Sequence, residues 1–271
     1  NKYKLKKKLV LPDIYNCKVA ILGLGYVGLP LAIGIDRNKY CKFSKKPIER
    51  QIIGFDISKK RLRELLLGID VTKEISKKEL KKSKILFTSK AHHLISADIY
   101  IVTVPTPIDN KKNPDLVPLT EASKTIGKIL KIRSKETKPI IIYESTVYPG
   151  ATEELCIPII EKYSSLVLNK DFACGFSPER INPGDKKHTL DSIVKVTSGS
   201  DAESSKYINK FYKSFIGAGT HNAPSIKIAE AAKVIENTQR DLNIALINEL
   251  AILFKRLDID TNDVLKAAET K

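Results

Sequence analysis

Short apolar runs alternate with stretches of helical periodicity along most of the chain. Most of these runs are strand-length and apolar throughout, which is typical of strands buried on both faces of a parallel sheet. We predict strands at residues 18–22, 51–55, 85–88, 98–104, 139–143, 172–175 and 193–197. We predict helices between them at residues 26–37, 59–68, 116–132, 150–163 and 201–214. This alternation predicts an α/β fold in which helices cover an open parallel sheet.

The pattern changes after residue 222. From Ser225 to Leu257 the chain has neither proline nor glycine, which predicts one helix of roughly 33 residues, against a mean helix length of about 11 to 12. Its later turns are apolar on two sides, with Ile235, Leu242, Leu246, Leu250 and Leu253 on one and Ile244, Ile247 and Ala251 on the other. Such a helix needs a second partner, so we expect another domain or another subunit to cover it. A short helix is predicted at 260–268.

The composition excludes several classes of protein. The 271 residues are 42% hydrophobic and 29% charged, as in a globular rather than a disordered chain. No apolar run is long enough for a membrane span, and no signal-peptide pattern opens the chain. The four cysteines (Cys17, Cys41, Cys156 and Cys174) have neither paired nor metal-ligand spacing. We therefore expect a reducing, cytoplasmic location without a disulfide scaffold, a metal site or a membrane partner.

The chain is strongly basic, with 47 lysines and arginines against 31 acidic residues and a net charge of +16. A solvated lysine-rich surface is the simplest interpretation, and attraction of a polyanionic ligand such as a nucleotide is the second. The charge is concentrated at residues 1–8 and 37–50, where aromatic residues are not interleaved in a stacking pattern, so we expect no nucleic-acid partner. We interpret 37–50 as a surface insertion before the second strand.

A glycine motif follows the first predicted strand. Gly23-Leu24-Gly25-Tyr26-Val27-Gly28 has the form G-x-G-x-x-G and opens a predicted helix, the context in which this motif binds a dinucleotide. Gly23 permits a tight turn, Gly25 lets the backbone approach a diphosphate, and Gly28 allows close packing of helix and strand. The motif predicts a Rossmann-like, doubly wound sheet, and a glycine turn without a ligand is the alternative.

Asp56 stands at the end of the second predicted strand, where a carboxylate accepts hydrogen bonds from the adenosine ribose. A carboxylate at this position favours NAD over NADP, because the 2′-phosphate of NADP would meet like charge. Arg61 complicates this inference, since it lies close enough along the chain to reach the same region. A simple surface charge is the alternative interpretation of Asp56.

Four later segments, taken together with the glycine motif, resemble one family. They are V-P-T-P (104–107), E-S-T-V-Y-P-G (144–150), S-P-E-R-I-N-P-G-D (177–185) and A-E-A-A-K-V-I-E-N-T-Q-R-D (229–241). These segments are similar to those of the UDP-glucose/UDP-mannuronic acid dehydrogenase family. The third resembles most the bacterial UDP-N-acetylhexosamine 6-dehydrogenases, whose substrates are UDP-GlcNAc or UDP-GalNAc. The resemblance extends from about Cys17 to the end of the chain.

The resemblance implies an oxidoreductase that converts a sugar C6 alcohol to a uronic acid in two steps, using two NAD molecules, for polysaccharide, capsule or O-antigen synthesis. It implies that NAD contacts six residues: Tyr26, Val27, Asp56, Arg61, Thr106 and Thr146. It implies that the UDP-sugar contacts six others: Glu179, Arg180, Ile181, Lys233, Asn237 and Arg240. Because the 225–257 helix is apolar on two sides, we expect a homodimer formed through this helix. The hexosamine epimer stays open, because epimers differ by one hydroxyl contact.

Residue chemistry supports these roles independently. Lys233, Asn237 and Arg240 have the spacing i, i+4 and i+7, so they share one helix face. An ammonium beside an amide donor suits the stabilisation of an alkoxide as hydride leaves C6. Thr146 follows a strand end, where its hydroxyl could hold a catalytic water, and Glu179 could act as base for that water. A solvated helix face, a plain strand-end threonine and a loop hydrogen bond are the alternatives.

The chain also departs from the family pattern. The family's nucleophilic cysteine lies in a Gly-Gly-His-Cys-like segment that has no match here, and the four cysteines present do not replace it. We expect an N-terminal portion with three parts: a basic extension (1–16), an NAD-binding domain (17–222) and the start of a helical dimerisation domain (223–271). The UDP-binding C-terminal domain is expected to be absent. A non-catalytic NAD-binding or dimerisation module and a single-step hydroxyacid dehydrogenase are the alternative functions.

Overall fold

The computed structural model describes residues 9–111, 113–134, 136–180 and 190–270. Within these ranges the main sheet has six strands: β1 (Lys18–Leu22), β2 (Gln51–Phe55), β3 (Leu86–Thr88), β4 (Ile99–Val102), β5 (Ile140–Tyr143) and β6 (Ala173–Phe176). Their order across the sheet is β3-β2-β1-β4-β5-β6, and every neighbouring pair is parallel. The strand order reverses direction between β1 and β4. This is the doubly wound topology that the glycine motif predicts.

The first six of the eight helices in the described ranges cover both faces of this sheet, and the last two follow them in the chain. The eight helices are α1 (Gly28–Arg37), α2 (Lys59–Leu66), α3 (Lys77–Lys82), α4 (Val117–Ile132), α5 (Ile157–Ser164), α6 (Ala202–Lys213), α7 (Ile226–Arg256) and α8 (Thr261–Ala268). A 3₁₀ turn at Ala91–Ser96 and a π-helical turn at Thr152–Cys156 complete the described elements. The predicted fold class is therefore confirmed.

Side chains of β1 alternate between two hydrophobic cores, one on each face. Val19 and Ile21 belong to a core with residues of α1 and α6, whereas Ala20 and Leu22 belong to a core with residues of α4 and α5. Residues 19–22 are all buried. Burial on both faces explains why the strands of this sheet contain so few polar residues.

Two parts of the first prediction need correction. The strand predicted at 193–197 is shorter, β7 (Lys195–Thr197), and pairs with β8 (Thr220–Asn222) in a separate two-stranded parallel sheet. The 37–50 segment is not only a surface insertion, because Cys41, Ile48 and Arg50 are buried. The Arg50 guanidinium bonds to the Ile14 carbonyl and the Ser214 hydroxyl, which ties this segment to the sheet domain.

The chain divides after Glu230 into two compact units, and the boundary lies inside α7. The predicted long helix is present as 31 residues. In its later turns Leu242 is 63% exposed and Leu246 is 56% exposed, so part of the predicted apolar stripe faces solvent in the single chain. None of the helices in the described ranges is long and apolar enough to cross a membrane.

Candidate functional site

The loops that follow the strands all begin at the carboxyl edge of the main sheet. Backbone hydrogen bonds continue past the strand ends: the N–H of Gly23 donates to Phe55, that of Thr103 to Leu22, that of Glu144 to Val102 and that of Ser177 to Tyr143. The four motif segments that begin at residues 23, 104, 144 and 177 are therefore neighbours at one edge. In open α/β sheets, ligands bind at this edge, in the crevice where the strand order reverses.

The glycine loop needs glycine at two positions for steric reasons. Gly23 has a φ of +95°, where a Cβ would be strained. A Cβ on Gly28 would lie 1.9 Å from the carbonyl oxygen of Gly23 and 2.4 Å from Thr103 Oγ1. Thr103 Oγ1 also donates a 2.7 Å hydrogen bond to the Gly23 carbonyl, so the residue directly after β4 supports the turn. These two glycines shape the loop.

Gly25 differs from them because a Cβ there would meet no atom within 4 Å. The protein itself does not require glycine at this exposed position, but a ligand approaching the backbone would. Among the described residues, none accepts a hydrogen bond from the N–H groups of Gly25, Tyr26 or Val27. The helix that follows has no side-chain cap and no acidic residue in its first turn. Open space, free donors and a helix N-terminus fit the diphosphate of a dinucleotide.

Asp56 lies beside this loop. One of its carboxylate oxygens accepts a 2.8 Å hydrogen bond from the N–H of Leu24, and the other accepts one of 2.8 Å from the N–H of Ser58. Asp56 is half-buried, and the two hydrogen bonds fix the orientation of its carboxylate. Each oxygen keeps a lone pair that can accept a further hydrogen bond. This geometry fits a carboxylate that accepts hydrogen bonds from ribose hydroxyls.

Arg61 is buried and lies beneath the glycine loop. Its Nε donates a 2.8 Å hydrogen bond to the Leu24 carbonyl, and its Nη2 lies 2.7 Å from Asp70 Oδ1. Burial of Asp70 acts to raise the pKa of its carboxyl group. Hydrogen bonds from Thr72, Ile75 and Arg61 have the larger, opposite effect, so the pKa of Asp70 is lowered. Arg61 thus holds the loop from below, a contact that its sequence position did not reveal.

Thr106 and Thr146 lie together on the other side of the crevice. The Thr106 hydroxyl donates a 2.6 Å hydrogen bond to the Thr146 carbonyl, and the Ser145 hydroxyl donates one of 2.6 Å to the Val104 carbonyl. The loops after β4 and β5 are therefore joined. The structure brings together two of the residues for which we predicted NAD contacts from different motifs.

Buried charges support the loops after β5 and β6, and sequence reasoning missed them. Lys195 Nζ lies 2.7 Å from Glu144 Oε2 and donates to the Pro178 carbonyl at 3.1 Å. The Tyr212 hydroxyl donates to the other oxygen of Glu144, and all three side chains are buried. Glu144 belongs to a motif segment, but its partner is 51 residues away and no sequence pattern links the two.

The S-P-E-R segment follows β6. Glu179 is buried, and Arg180 Nη1 donates a 3.2 Å hydrogen bond to the Val194 carbonyl. Glu179, Arg180 and Lys195 line a small cavity together with Leu190 and Ile193. The predicted substrate residue Ile181 lies outside the described residues.

Glu230 attaches the start of α7 to the loop after β5. Its carboxylate accepts hydrogen bonds from the N–H groups of Gly150 (2.5 Å) and Thr152 (3.0 Å). The side chain is fully buried, and burial is the main reason that its pKa is raised. Glu230 therefore caps the π-helical turn that begins at Thr152, and no sequence motif had indicated this role.

Lys233, Asn237 and Arg240 lie on α7 within the second unit. Arg240 Nη1 donates a 3.3 Å hydrogen bond to Asn237 Oδ1, as residues on one helix face can. Their roles at the substrate stay a prediction.

All four cysteines are buried and unpaired. Desolvation raises the pKa of Cys17 to about 11 and that of Cys156 to about 12, and it raises the pKa of Cys174 well above its ordinary value. A thiol needs the opposite shift to act as a nucleophile at neutral pH. These positions agree with the interpretation that none replaces the family's cysteine.

Comparisons with known proteins identify the family. The NAD binding domain of the UDP-glucose/GDP-mannose dehydrogenase family matches residues 17–216, and its central domain matches residues 227–271. The UDP-N-acetyl-D-glucosamine 6-dehydrogenase of Pseudomonas aeruginosa is 58% identical over 257 residues, which are 94% of this chain and 57% of that protein. The enzyme of the same name from Salmonella typhi is 54% identical over 95% of this chain and 57% of its own length.

Solved structures agree with this result. The UDP-D-ManNAc dehydrogenase of Pyrococcus horikoshii is 29% identical, with a TM-score of 0.80 over 93% of this chain and 57% of that chain. The chain thus spans a little over half the length of the relatives that it matches. Membership of this family accounts for both the sequence motifs and the arrangement of their loops at one sheet edge. The chain belongs to the UDP-glucose/GDP-mannose dehydrogenase family and contains the NAD binding domain of that family.

Proposed function

We propose that the protein containing this chain oxidises the C6 alcohol of a UDP-N-acetylhexosamine to the uronic acid, with NAD as hydride acceptor. The observation that supports this most is the meeting of the glycine loop, the Thr106–Thr146 contact and the S-P-E-R segment at one sheet edge. The identity of 58% with a UDP-N-acetyl-D-glucosamine 6-dehydrogenase favours a UDP-N-acetylhexosamine over other nucleotide sugars. The product would serve as a precursor for polysaccharide, capsule or O-antigen synthesis.

On the cofactor side, the chain's own groups bind and orient. The N–H groups at Gly25, Tyr26 and Val27 hold the diphosphate, and Asp56 binds the adenosine ribose. Arg61 positions Leu24 of the glycine loop through its hydrogen bond to the Leu24 carbonyl, and it also contacts NAD. Thr106 and Thr146 line the opposite wall of the crevice, where the Thr146 hydroxyl holds the water that displaces the thiolate and forms the acid after the second hydride transfer.

On the sugar side, Glu179 is the base that takes a proton from this water, and Arg180 and Ile181 line the sugar site. Lys233 and Asn237 stabilise the alkoxide oxygen at C6 as hydride leaves, and Arg240 binds the nucleotide part of the substrate. These roles rest on the match of the four motif segments and on the shared helix face at 233, 237 and 240.

Acid formation in this family type needs a thiolate to hold the aldehyde as a thiohemiacetal. None of the four buried cysteines in the printed sequence is placed to supply it. We therefore expect the 271-residue chain to bind NAD but to release no uronic acid. The alternative of a non-catalytic NAD-binding module gives the same result for this chain, so the two proposals need a second measurement.

The test uses two samples. The 271-residue chain is titrated with NAD by calorimetry. It is then incubated with NAD and either UDP-N-acetylglucosamine or UDP-N-acetylgalactosamine. The complete gene product, whatever its length, is incubated in the same way, and we expect two NADH for each uronic acid. Absence of NAD binding would overturn the proposal. One NADH per substrate would contradict the two-step oxidation, and NAD binding without any NADH from either UDP-sugar would favour the non-catalytic module or the single-step hydroxyacid dehydrogenase.

We also propose a homodimer that forms through the 225–257 helix. The exposed Leu242, Leu246 and Leu253 support this, because they form one apolar stripe on the helix and a partner chain would bury it. Light scattering on the wild type and on Leu246→Asp tests it, and a monomeric wild type would contradict it.

We assign residues 17–222 to the NAD-binding domain and 223–271 to the helical domain. Four unpaired cysteines and the use of NAD favour the cytoplasm.

A further inference from the structure

A buried network of three side chains lies behind the S-P-E-R segment. Glu144 follows β5, Lys195 belongs to β7, and Tyr212 belongs to α6, so the network joins three elements that are distant in sequence. Exposed fractions are 1% for Glu144, 5% for Lys195 and 0% for Tyr212. Water therefore does not solvate the two opposite charges.

The ammonium of Lys195 has three identified neighbours. It lies 2.7 Å from Glu144 Oε2, it donates a 3.1 Å hydrogen bond to the Pro178 carbonyl, and it stands 5.6 Å from the centre of the Tyr212 ring. The Pro178 carbonyl belongs to the peptide bond that leads directly to Glu179. The same ammonium thus binds both the end of β5 and the backbone from which the Glu179 side chain extends.

Stability alone is a weak reason for such a pair. Desolvation of two charges offsets much of their attraction, so apolar residues of similar volume are often as stabilising or more so. A charged donor nevertheless does something that an apolar side chain does not: it fixes the direction of a carbonyl group. Ser177, one residue earlier, is also fixed, because its hydroxyl donates a 2.7 Å hydrogen bond to the Val196 carbonyl.

We propose that Lys195, oriented by Glu144, is a positioning residue that holds the Pro178–Glu179 peptide and so sets the place of the Glu179 carboxylate at the sheet edge. The catalytic importance of that carboxylate rests on the proposed function. The positioning itself does not, and it is tested without substrate.

The experiment compares amide hydrogen exchange in wild type and in Lys195→Met, which keeps the length of the side chain and removes the donor. The matched control is Lys138→Met. Lys138 is equally buried, and its Nζ donates a 2.7 Å hydrogen bond to the Asn169 carbonyl, but it does not contact the segment. We expect peptides covering 177–180 to exchange at least tenfold faster in Lys195→Met than in wild type. They should be unchanged in Lys138→Met, and peptides covering 23–28 should be unchanged in both.

A charge-neutral double variant separates positioning from stability. Glu144→Gln with Lys195→Met removes the unpaired carboxylate that the single variant leaves, so the melting temperature should recover and the fold is secured. The Pro178 carbonyl still lacks its donor, so we expect exchange at 177–180 to stay fast. If exchange in the double variant returned to the wild-type rate together with the melting temperature, or if Lys195→Met alone left it unchanged, the inference would be overturned.

The activity arm is read separately. If the complete gene product forms NADH from a UDP-sugar, Lys195→Met should lower kcat at least fivefold, because Glu179 is the proposed base, while the Kd for NAD is unchanged. An equal change in both constants would contradict positioning. A wild type that forms no NADH would count against the proposed function only, and the exchange rates would still decide the role of Lys195.

Discussion

The two walls of the crevice are built by different means. On the glycine-loop side, small residues and backbone groups create the shape: Gly28 has no room for a Cβ, and Gly25 leaves its backbone open. On the side of β5 and β6, buried charged side chains hold the loops, with Lys195 on Pro178 and Glu230 on Gly150 and Thr152. The first wall depends on glycines, which have no Cβ. The second wall depends on buried charged side chains.

This difference determines how each wall fails. A clash in the glycine loop is local and independent of pH, because it acts through van der Waals overlap. Loss of a buried charged partner leaves a polar group unsatisfied, and its cost depends on protonation. Substitutions matched within each wall therefore test whether the walls are as distinct as their contacts indicate.

The largest effect is expected from Gly28→Ala. Its Cβ would lie 1.9 Å from a backbone oxygen that cannot move away without opening the turn, so we expect a loss of about 3 kcal/mol or more in unfolding free energy and no detectable NAD binding. Gly25→Ala is the matched variant, because its Cβ meets nothing within 4 Å. It should leave stability unchanged and weaken NAD binding at least tenfold, about 1.4 kcal/mol. Urea unfolding and NAD calorimetry measure the two quantities.

The pair of glycine variants also sharpens the cofactor assignment. If Gly25→Ala bound NAD as tightly as wild type, the diphosphate would not lie against this backbone, and the free N–H groups of the loop would need another explanation. If instead Gly28→Ala were as stable as wild type, the contact between α1 and the turn would be looser than the structure indicates.

On the other wall, Glu230→Ala removes the acceptor for two backbone N–H groups. We expect a loss of about 2 kcal/mol in unfolding free energy, because each buried unsatisfied donor costs about 1–3 kcal/mol and water entering the space recovers part of it. The control is Lys227→Ala. Lys227 lies one helical turn before Glu230, and its substitution removes only an exposed 3.4 Å ion pair with Glu154. That variant should change stability by less than about 0.5 kcal/mol. Equal effects of the two substitutions would contradict the anchoring role of Glu230.

The same contrast explains what the sequence could and could not predict. The strands from β1 to β6 were predicted to within two residues, since a strand buried on both faces must be apolar. Strand β8 was missed because Thr220-His221-Asn222 is short, polar and partly exposed, which leaves no periodicity to recognise. The glycine-loop wall was predictable because the three glycines that it requires lie within six residues of sequence.

The charged wall was not predictable, since its pairs meet only in the folded chain. Glu144 and Lys195 are separated by 51 residues, and Gly150 and Glu230 by 80. Before folding, Lys195 is one lysine among many in a strongly basic chain, and nothing nearby distinguishes it. Arg61 shows the same limit within the cofactor wall. The family resemblance predicts that Arg61 contacts NAD, and that stays a prediction, but the sequence did not indicate that its guanidinium bonds to Leu24 and Asp70.

The smallest expected effect concerns Asp70, whose carboxylate pairs with Arg61 beneath the glycine loop. Its folded pKa is held below the ordinary 3.8, so the stability that it contributes is present above that value and is lost as pH falls through the lower folded pKa. We expect Asp70→Asn to cost about 1 kcal/mol near neutral pH, and the difference from wild type to shrink as the pH falls below about 4. Urea unfolding across this range measures the difference. A difference that stayed constant with pH would mean that Asp70 supports the loop through shape alone, and the cofactor wall would then contain no charge-dependent part.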